Sequence, residues 1–248
     1  MNTTQELCGL FGKIPHQSDF VTHHLPVSFT EHWHHWLQSS ISISREQLEE
    51  EWLERYMISP VWYFSMMPGI AHEKSVAGVV IPSVDEIGRH FPLTIAHTGE
   101  HDCWAAYLYG EEWYNAIEQI ALLALADDVT YTRLIGELEA LETPEFSALP
   151  NYTTQSAMHA FKSGQVISQS PQQTKQDLAL SLLPQAYKQR YGQHSLWWTK
   201  GSSTVNPCLA ISSNLPDPGQ FAAMLDGNWQ RWGWTEESIH DNNQNGEE

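Results

Sequence analysis

Cations are what this chain most conspicuously lacks. Twelve Lys and Arg stand against 30 Asp and Glu in 248 residues, a formal charge of −18. Such a surface repels phosphate backbones and anionic lipid, which argues against nucleic-acid and membrane-surface partners. The imbalance is not confined to one end, because only five of the acids follow Trp234. Cysteine is scarce too: Cys8, Cys103 and Cys208 are odd in number, far apart and without a CxxC spacing. That excludes a disulfide framework or zinc ribbon and suits a reducing compartment. Long apolar runs are missing. The richest, residues 120–126, stops at Asp127-Asp128 and is too short to span a bilayer. The first five residues carry no basic region of the kind a secretion signal needs. A cytoplasmic protein without membrane insertion is expected.

Catalytic signatures are absent as well. In Gly9-Leu10-Phe11-Gly12-Lys13 two residues separate the glycines and Ile14 follows the Lys. A phosphate cradle needs four residues between the glycines and a Ser or Thr after the Lys. No nucleophile elbow or Ser-His-Asp signature occurs, and a single Asp-Gly, at Asp226-Gly227, is too little for a multi-aspartate metal centre. Thirteen histidines include His23-His24 and the run Glu31-His32-Trp33-His34-His35-Trp36. Glu31 and His35 share a helical face, but no HExxH pattern is present. A half-buried helix with exposed histidines is the expectation, with no metal, no cofactor and no enzyme activity.

What the chain does have is apolar and aromatic bulk: 41% hydrophobic residues and 11 tryptophans, enough for a substantial core. The spacing predicts a first strand over 7–14 and a helix over 28–38 with Phe29, Trp33, Trp36 and Leu37 inward. Ser44-Arg45-Glu46-Gln47 has capping-box spacing and predicts a second, acid-rich helix over 44–57. Apolar segments 61–67, 76–81 and 91–96, joined by short turns, predict an antiparallel meander. Pro92 lacks an amide donor and belongs at a strand start or an edge. Val61-Trp62-Tyr63-Phe64 is bulky on both faces, so helices should cover both sides of the sheet. A long helix over 103–126, a shorter one over 131–141, a hairpin of 197–199 with 208–211 and a last helix over 218–229 follow. Residues 142–176 read as a variable connection and 235–248 as a polar, acidic, disordered tail. The whole predicts a single α+β domain over 1–234: a mainly antiparallel sheet of five or six strands with helices on both faces.

Three segments concentrate prolines, glycines and charge. Gly12-Lys13-Ile14-Pro15 runs to Asp19-Phe20; Pro82-Ser83-Val84-Asp85 runs to Gly88-Arg89-His90-Phe91-Pro92-Leu93; and Ser195-Leu196-Trp197-Trp198-Thr199-Lys200-Gly201 lies near the end. Gly and Pro fix particular backbone angles, so each should adopt one defined loop. Asp85 and Arg89 are placed either to pair across the turn or to offer a ligand contact, since a guanidinium fork suits carboxylate or phosphate. Lys13 with Asp19 reads the same way. Successive strand residues alternate, which puts Trp197 and Trp198 on opposite faces. A ring facing solvent would anchor an interface, whereas a covered one is core.

These motifs, in this order, resemble the TagF (ImpM) family of type VI secretion accessory proteins, from about residue 7 to 229. One departure is Ser18, where the family reads Gly before the Asp-Phe pair. The resemblance implies a three-layer α/β/α sandwich and a post-translational repressor of secretion assembly that works in the cytoplasm by binding. Its implied partner is the system's forkhead-associated scaffold protein. Some members are fused to a phosphatase domain, of which this chain shows no signature. Lys13, Pro15, Asp19, Phe20, Ser83, Asp85, Arg89, Phe91, Trp197 and Trp198 are the candidate interaction residues. The alternative is a small-ligand sensor using the 12–19 and 83–89 loops.

Overall fold

A computed structural model describes residues 7–126, 128–147, 149 and 174–237. Most of the predicted connection and of the acidic tail lies outside these residues. The described strands form one seven-stranded sheet in the order β2-β1-β5-β4-β3-β6-β7. They are β1 (Gly9–Gly12), β2 (Val21–His23), β3 (Trp62–Met66), β4 (Ser75–Ile81), β5 (Leu93–Gly99), β6 (Ser195–Thr199) and β7 (Cys208–Ser212). Every neighbouring pair is antiparallel. The meander β3-β4-β5 and the closing hairpin β6-β7 stand where the sequence puts them. The count of seven exceeds the expected five or six. The three residues of β2 are too short for a periodic signal, and they pair only because the chain turns back on β1. Pro92 sits just before β5, where its missing donor costs no ladder bond.

Two cores clad the sheet. On one face Trp62, Phe64, Val76, Val80 and Trp197 pack against α1 (Val27–Leu48), α2 (Trp52–Met57) and α7 (Ala223–Asp226). On the other, Tyr63, Val79, Ile81 and Ile95 pack against α4 (Glu111–Leu123) and α5 (Tyr131–Glu139). Alternation along β3 and β4 feeds the two cores in turn, which makes the architecture a three-layer α/β/α sandwich. Trp33 from α1 packs on Phe64 at 4.9 Å and stacks on Trp197 at 5.9 Å, and its indole donates to Thr94 Oγ1 at 2.8 Å.

Helix boundaries depart from expectation for physical reasons. Ser44 does not cap a new helix. It lies buried inside α1, donating to the Ile41 carbonyl and accepting the Trp52 indole N–H at 2.9 Å, and α2 follows a 3-10 turn at Glu49–Glu51. The expected helix over 103–126 divides at Gly110 into α3 (Cys103–Tyr109) and α4. A Cβ on Gly110 would stand 2.4 Å from the Ala106 carbonyl oxygen. The expected last helix is a 3-10 turn at Pro218–Gln220 followed by the short α7. A helix α6 (Lys175–Tyr191) has no counterpart in the sequence reading; Pro184 lies inside it and its apolar residues form no stripe.

Gly12 closes β1 with φ +139°, and a Cβ there would lie 2.1 Å from the Pro92 carbonyl oxygen. Gly12→Ala should therefore cost about 3 kcal/mol or more, from backbone strain plus a backbone clash. Gly88 also has positive φ, but nothing lies within 4 Å of its Cβ position. Gly88→Ala should cost only about 1–2 kcal/mol. Urea unfolding of both variants checks the order, and equal losses would contradict it.

Candidate functional site

Two of the three motif segments meet at one end of the sandwich, and the third leaves its strand toward the same end. Residues 13–20 connect β1 to β2, residues 82–92 connect β4 to β5, and Lys200-Gly201 follows β6. Antiparallel register brings the exits of β1, β4 and β6 to the same edge. Pro15 occupies the second position of a turn closed by Gln17 N to the Ile14 carbonyl at 3.2 Å, a place its fixed φ suits. The 82–92 segment extends the β4-β5 hairpin: Phe91 N donates to Ser83 O, Val84 bridges His90, and Asp85 N donates to Arg89 O.

The Asp85 carboxylate is the centre of the site, with no side-chain surface exposed. Oδ1 accepts the backbone amides of Ile87 at 3.1 Å and Arg89 at 2.8 Å. Oδ2 accepts Arg89 Nε at 2.7 Å and the Lys13 ammonium. Four donors fill the roughly four lone-pair positions that a carboxylate offers. Burial alone would push this carboxyl up, but Lys13 and both donors of Arg89 outweigh it and hold it well below the usual carboxylate range. Arg89 reaches on to the Ser18 carbonyl and so ties the loops together. That contact uses backbone, and Ser18 is not among the positive-φ residues, so glycine is not required there. Ser83 Oγ donates to the Lys13 carbonyl at 2.7 Å, and its backbone exchanges two hydrogen bonds with the Tyr56 hydroxyl.

The expected partner of Lys13 is thus corrected. Lys13 is buried and pairs with Asp85, while Asp19 is exposed. The two loops lie side by side, so the nearer, buried carboxylate comes from the other loop. The Lys13 ammonium also lies 4.7 Å from the Phe20 ring centre, a cation–π contact. Phe20 stacks on Phe11 at 5.7 Å and meets Phe91 edge-on at 4.8 Å. It nevertheless keeps 41% of its surface in solvent, and Ile87 at the neighbouring loop tip keeps 66%. Lys13, Phe20, Ser83, Asp85, Arg89 and Phe91 therefore form one cluster, while Pro15 shapes the turn beside it.

Trp197 and Trp198 do not belong to this cluster. Trp197 is fully buried among Trp33, Trp36 and Phe64, and Trp198 is partly covered on the opposite face by Tyr63, Tyr107 and Tyr114. Both are core residues, one per face as their alternation predicts. Lys200 of the third motif bonds to Asn115 at 2.9 Å and Glu118 at 2.7 Å on α4. Sequence reasoning missed Tyr56, which neither spacing nor composition marks, and gave Lys200 no role although the third motif contains it.

The three cysteines lie outside this cluster. Cys103 lies near His194, but burial pushes its thiol up, and His194 Nε2 already accepts the Trp104 indole N–H at 2.9 Å. Burial likewise pushes Cys8 up to about 12 and Cys208 up to about 11. A groove of about 510 Å³ between α1 and the segment after β7 is lined by His32, His35, Trp36, Pro216 and Asp217, away from the motif loops.

One end of the three-layer sandwich thus carries an internally saturated ionic cluster with exposed apolar residues beside it. The chain belongs to the family of the TagF N-terminal domain, type VI secretion system-associated, whose model matches residues 9–141. It is also similar to the crystal structure of PA0076 from Pseudomonas aeruginosa PAO1, with a TM-score of 0.74 and 27% identity over 94% of this chain and 97% of that one. No curated protein sequence matches the chain. The third motif lies beyond the family match.

Lys13 is buried whereas the Arg89 side chain is 53% exposed, and this orders their contributions. Lys13→Met should cost about 3–5 kcal/mol, because it strips a buried carboxylate of its main partner. Arg89→Ala should cost only about 1 kcal/mol. Chemical denaturation measures both, and a reversed order would refute the assignment. The folded pKa of Asp85 lies below its unfolded value, so its contribution is present above about pH 4 and is lost as pH falls through that value toward the folded pKa. The melting-temperature gap between wild type and Asp85→Asn should hold steady from about pH 8 to 5 and shrink below about pH 4. A gap unchanged down to about pH 2 would exclude the ionised carboxylate as its cause.

Proposed function

We propose that this protein represses type VI secretion after translation, by binding a component of the machinery in the cytoplasm without covalent chemistry. Membership of a secretion-associated family supports the setting. The observation that carries the reading is the saturation of the Asp85 carboxylate. Lys13, Asp85 and Arg89 spend their charges on one another, and beside them Phe20 and Ile87 face outward together with the exposed Asp19 and Glu86. Such a site holds its shape and offers surface, which suits recognition better than turnover. Among the described residues no helix is long and apolar enough to cross a membrane.

The partner we infer is the forkhead-associated scaffold protein of the system. Forkhead-associated domains read acidic and phosphorylated motifs through arginine clusters, and a body with 18 excess negative charges complements a basic face. Sequestration then scales with the ratio of this protein to its target.

Overproduction in the native host should reduce release of the secretion tube protein into the medium while transcripts of the secretion genes stay constant. An Ile87→Asp variant, at the more exposed of the two positions, should melt close to wild type and lose most of the suppression. Cys8→Ser, Cys103→Ser and Cys208→Ser should each retain it when folded. Undiminished tube release at high levels of folded wild-type protein would end the repressor reading.

A further inference from the structure

At the far end of β2 from the motif loops, His23, His24 and Glu139 bring two imidazoles and a carboxylate together. Their ligand atoms all lie within 4.8 Å of one another. The sequence shows only the His-His pair; the carboxylate arrives from the last residue of α5, 116 positions on. Adjacent residues of a strand ordinarily point to opposite faces, which would keep two such rings apart. Here His24 adopts φ +57°, a left-handed conformation uncommon outside glycine. Leu25 N closes a three-residue turn onto the His23 carbonyl at 2.8 Å. The turn folds the second imidazole back over the first, with ring centres 3.8 Å apart. His23 Nε2 already lies 3.1 Å from Glu139 Oε1.

We infer that His23, His24 and Glu139 form a surface site for a first-row transition-metal dication, zinc above all. The ligand set decides the class: imidazole nitrogens favour zinc, copper and nickel, whereas magnesium and calcium call for oxygen ligands throughout. Two histidines and one carboxylate satisfy three positions of a zinc tetrahedron and leave the fourth to water. Tetrahedral ligand atoms at zinc bond lengths sit ~3.4 Å apart, which small rotations of these solvent-facing side chains reach from the observed spacing. A body with 18 excess negative charges concentrates dications around such a site. An ion held there would clamp the short edge strand β2 to α5, because its ligands come from both. This reading is independent of the repressor proposal.

Zinc chloride titrated calorimetrically into chelator-treated protein should give one saturable site per chain, and zinc should raise the melting temperature. His24→Ala and Glu139→Gln should each weaken binding by about tenfold or more. Magnesium should give neither heat nor a thermal shift. His24→Ala is the discriminating variant, since it leaves the His23–Glu139 pair in place and would change nothing if that pair were only a tie between elements. His32→Ala/His35→Ala, which removes exposed histidines of α1, should bind zinc like wild type. The proposal is overturned by the lack of a saturable zinc site, by wild-type affinity in His24→Ala, or by loss of binding in the α1 variant.

Discussion

The motif end of this protein depends on one buried anion. Placing the Asp85 carboxylate out of water is costly, and it is tolerated because an ammonium, a guanidinium and two amides converge on it. Three of those donors come from its own hairpin tip and one from a strand exit 72 residues earlier. The same charge thus sets the shape of one loop and its attachment to the next. Replacing such a cluster by apolar side chains of similar volume often leaves stability intact, so its value here is geometric. It fixes where Phe20 and Ile87 stand.

A second constraint runs through the tryptophans. Indoles bring large apolar area and one polar atom that needs an acceptor when buried. Trp33 finds Thr94, Trp36 the Pro216 carbonyl, Trp52 Ser44, Trp62 the Met224 carbonyl and Trp104 His194. Most of these acceptors are distant in sequence. The rings therefore orient α1, α2 and the C-terminal segment as well as filling space. Gly78 serves the same packing, since a Cβ there would lie 2.8 Å from the Phe64 ring.

Local pattern carried much of the architecture. Alternation in Trp62-Tyr63-Phe64 announces a strand covered on both faces, and Pro92 marks the start of β5. Most of the motif residues were legible as a set, and Lys13, Phe20, Ser83, Asp85, Arg89 and Phe91 close into one cluster. The local pairing of Asp85 with Arg89 was legible too. Distant partners were not, because they are set by how strands and loops lie side by side: Lys13 finds Asp85 instead of Asp19, and Glu139 joins histidines in another layer. Ser44 shows the limit of a local rule. A Ser three residues before Gln reads as a cap, yet burial of Trp52 beside it turns the hydroxyl into an acceptor inside a continuous helix. The Pro184-containing α6 lacks an apolar stripe, so periodicity had nothing to detect.

The connectivity has a consequence for synthesis. Strand β3 is an interior strand of the sheet, and its second neighbour is β6, made some 130 residues later. Trp33, Trp36 and Phe64 leave the ribosome early, but the ring that completes their stack belongs to Trp197. For most of translation an aromatic wall and one edge of β3 stand open, the features that invite aggregation. A nascent chain of this kind calls on chaperones in proportion to how slowly its last quarter is made. The abundance of the folded protein is then set in part on the ribosome.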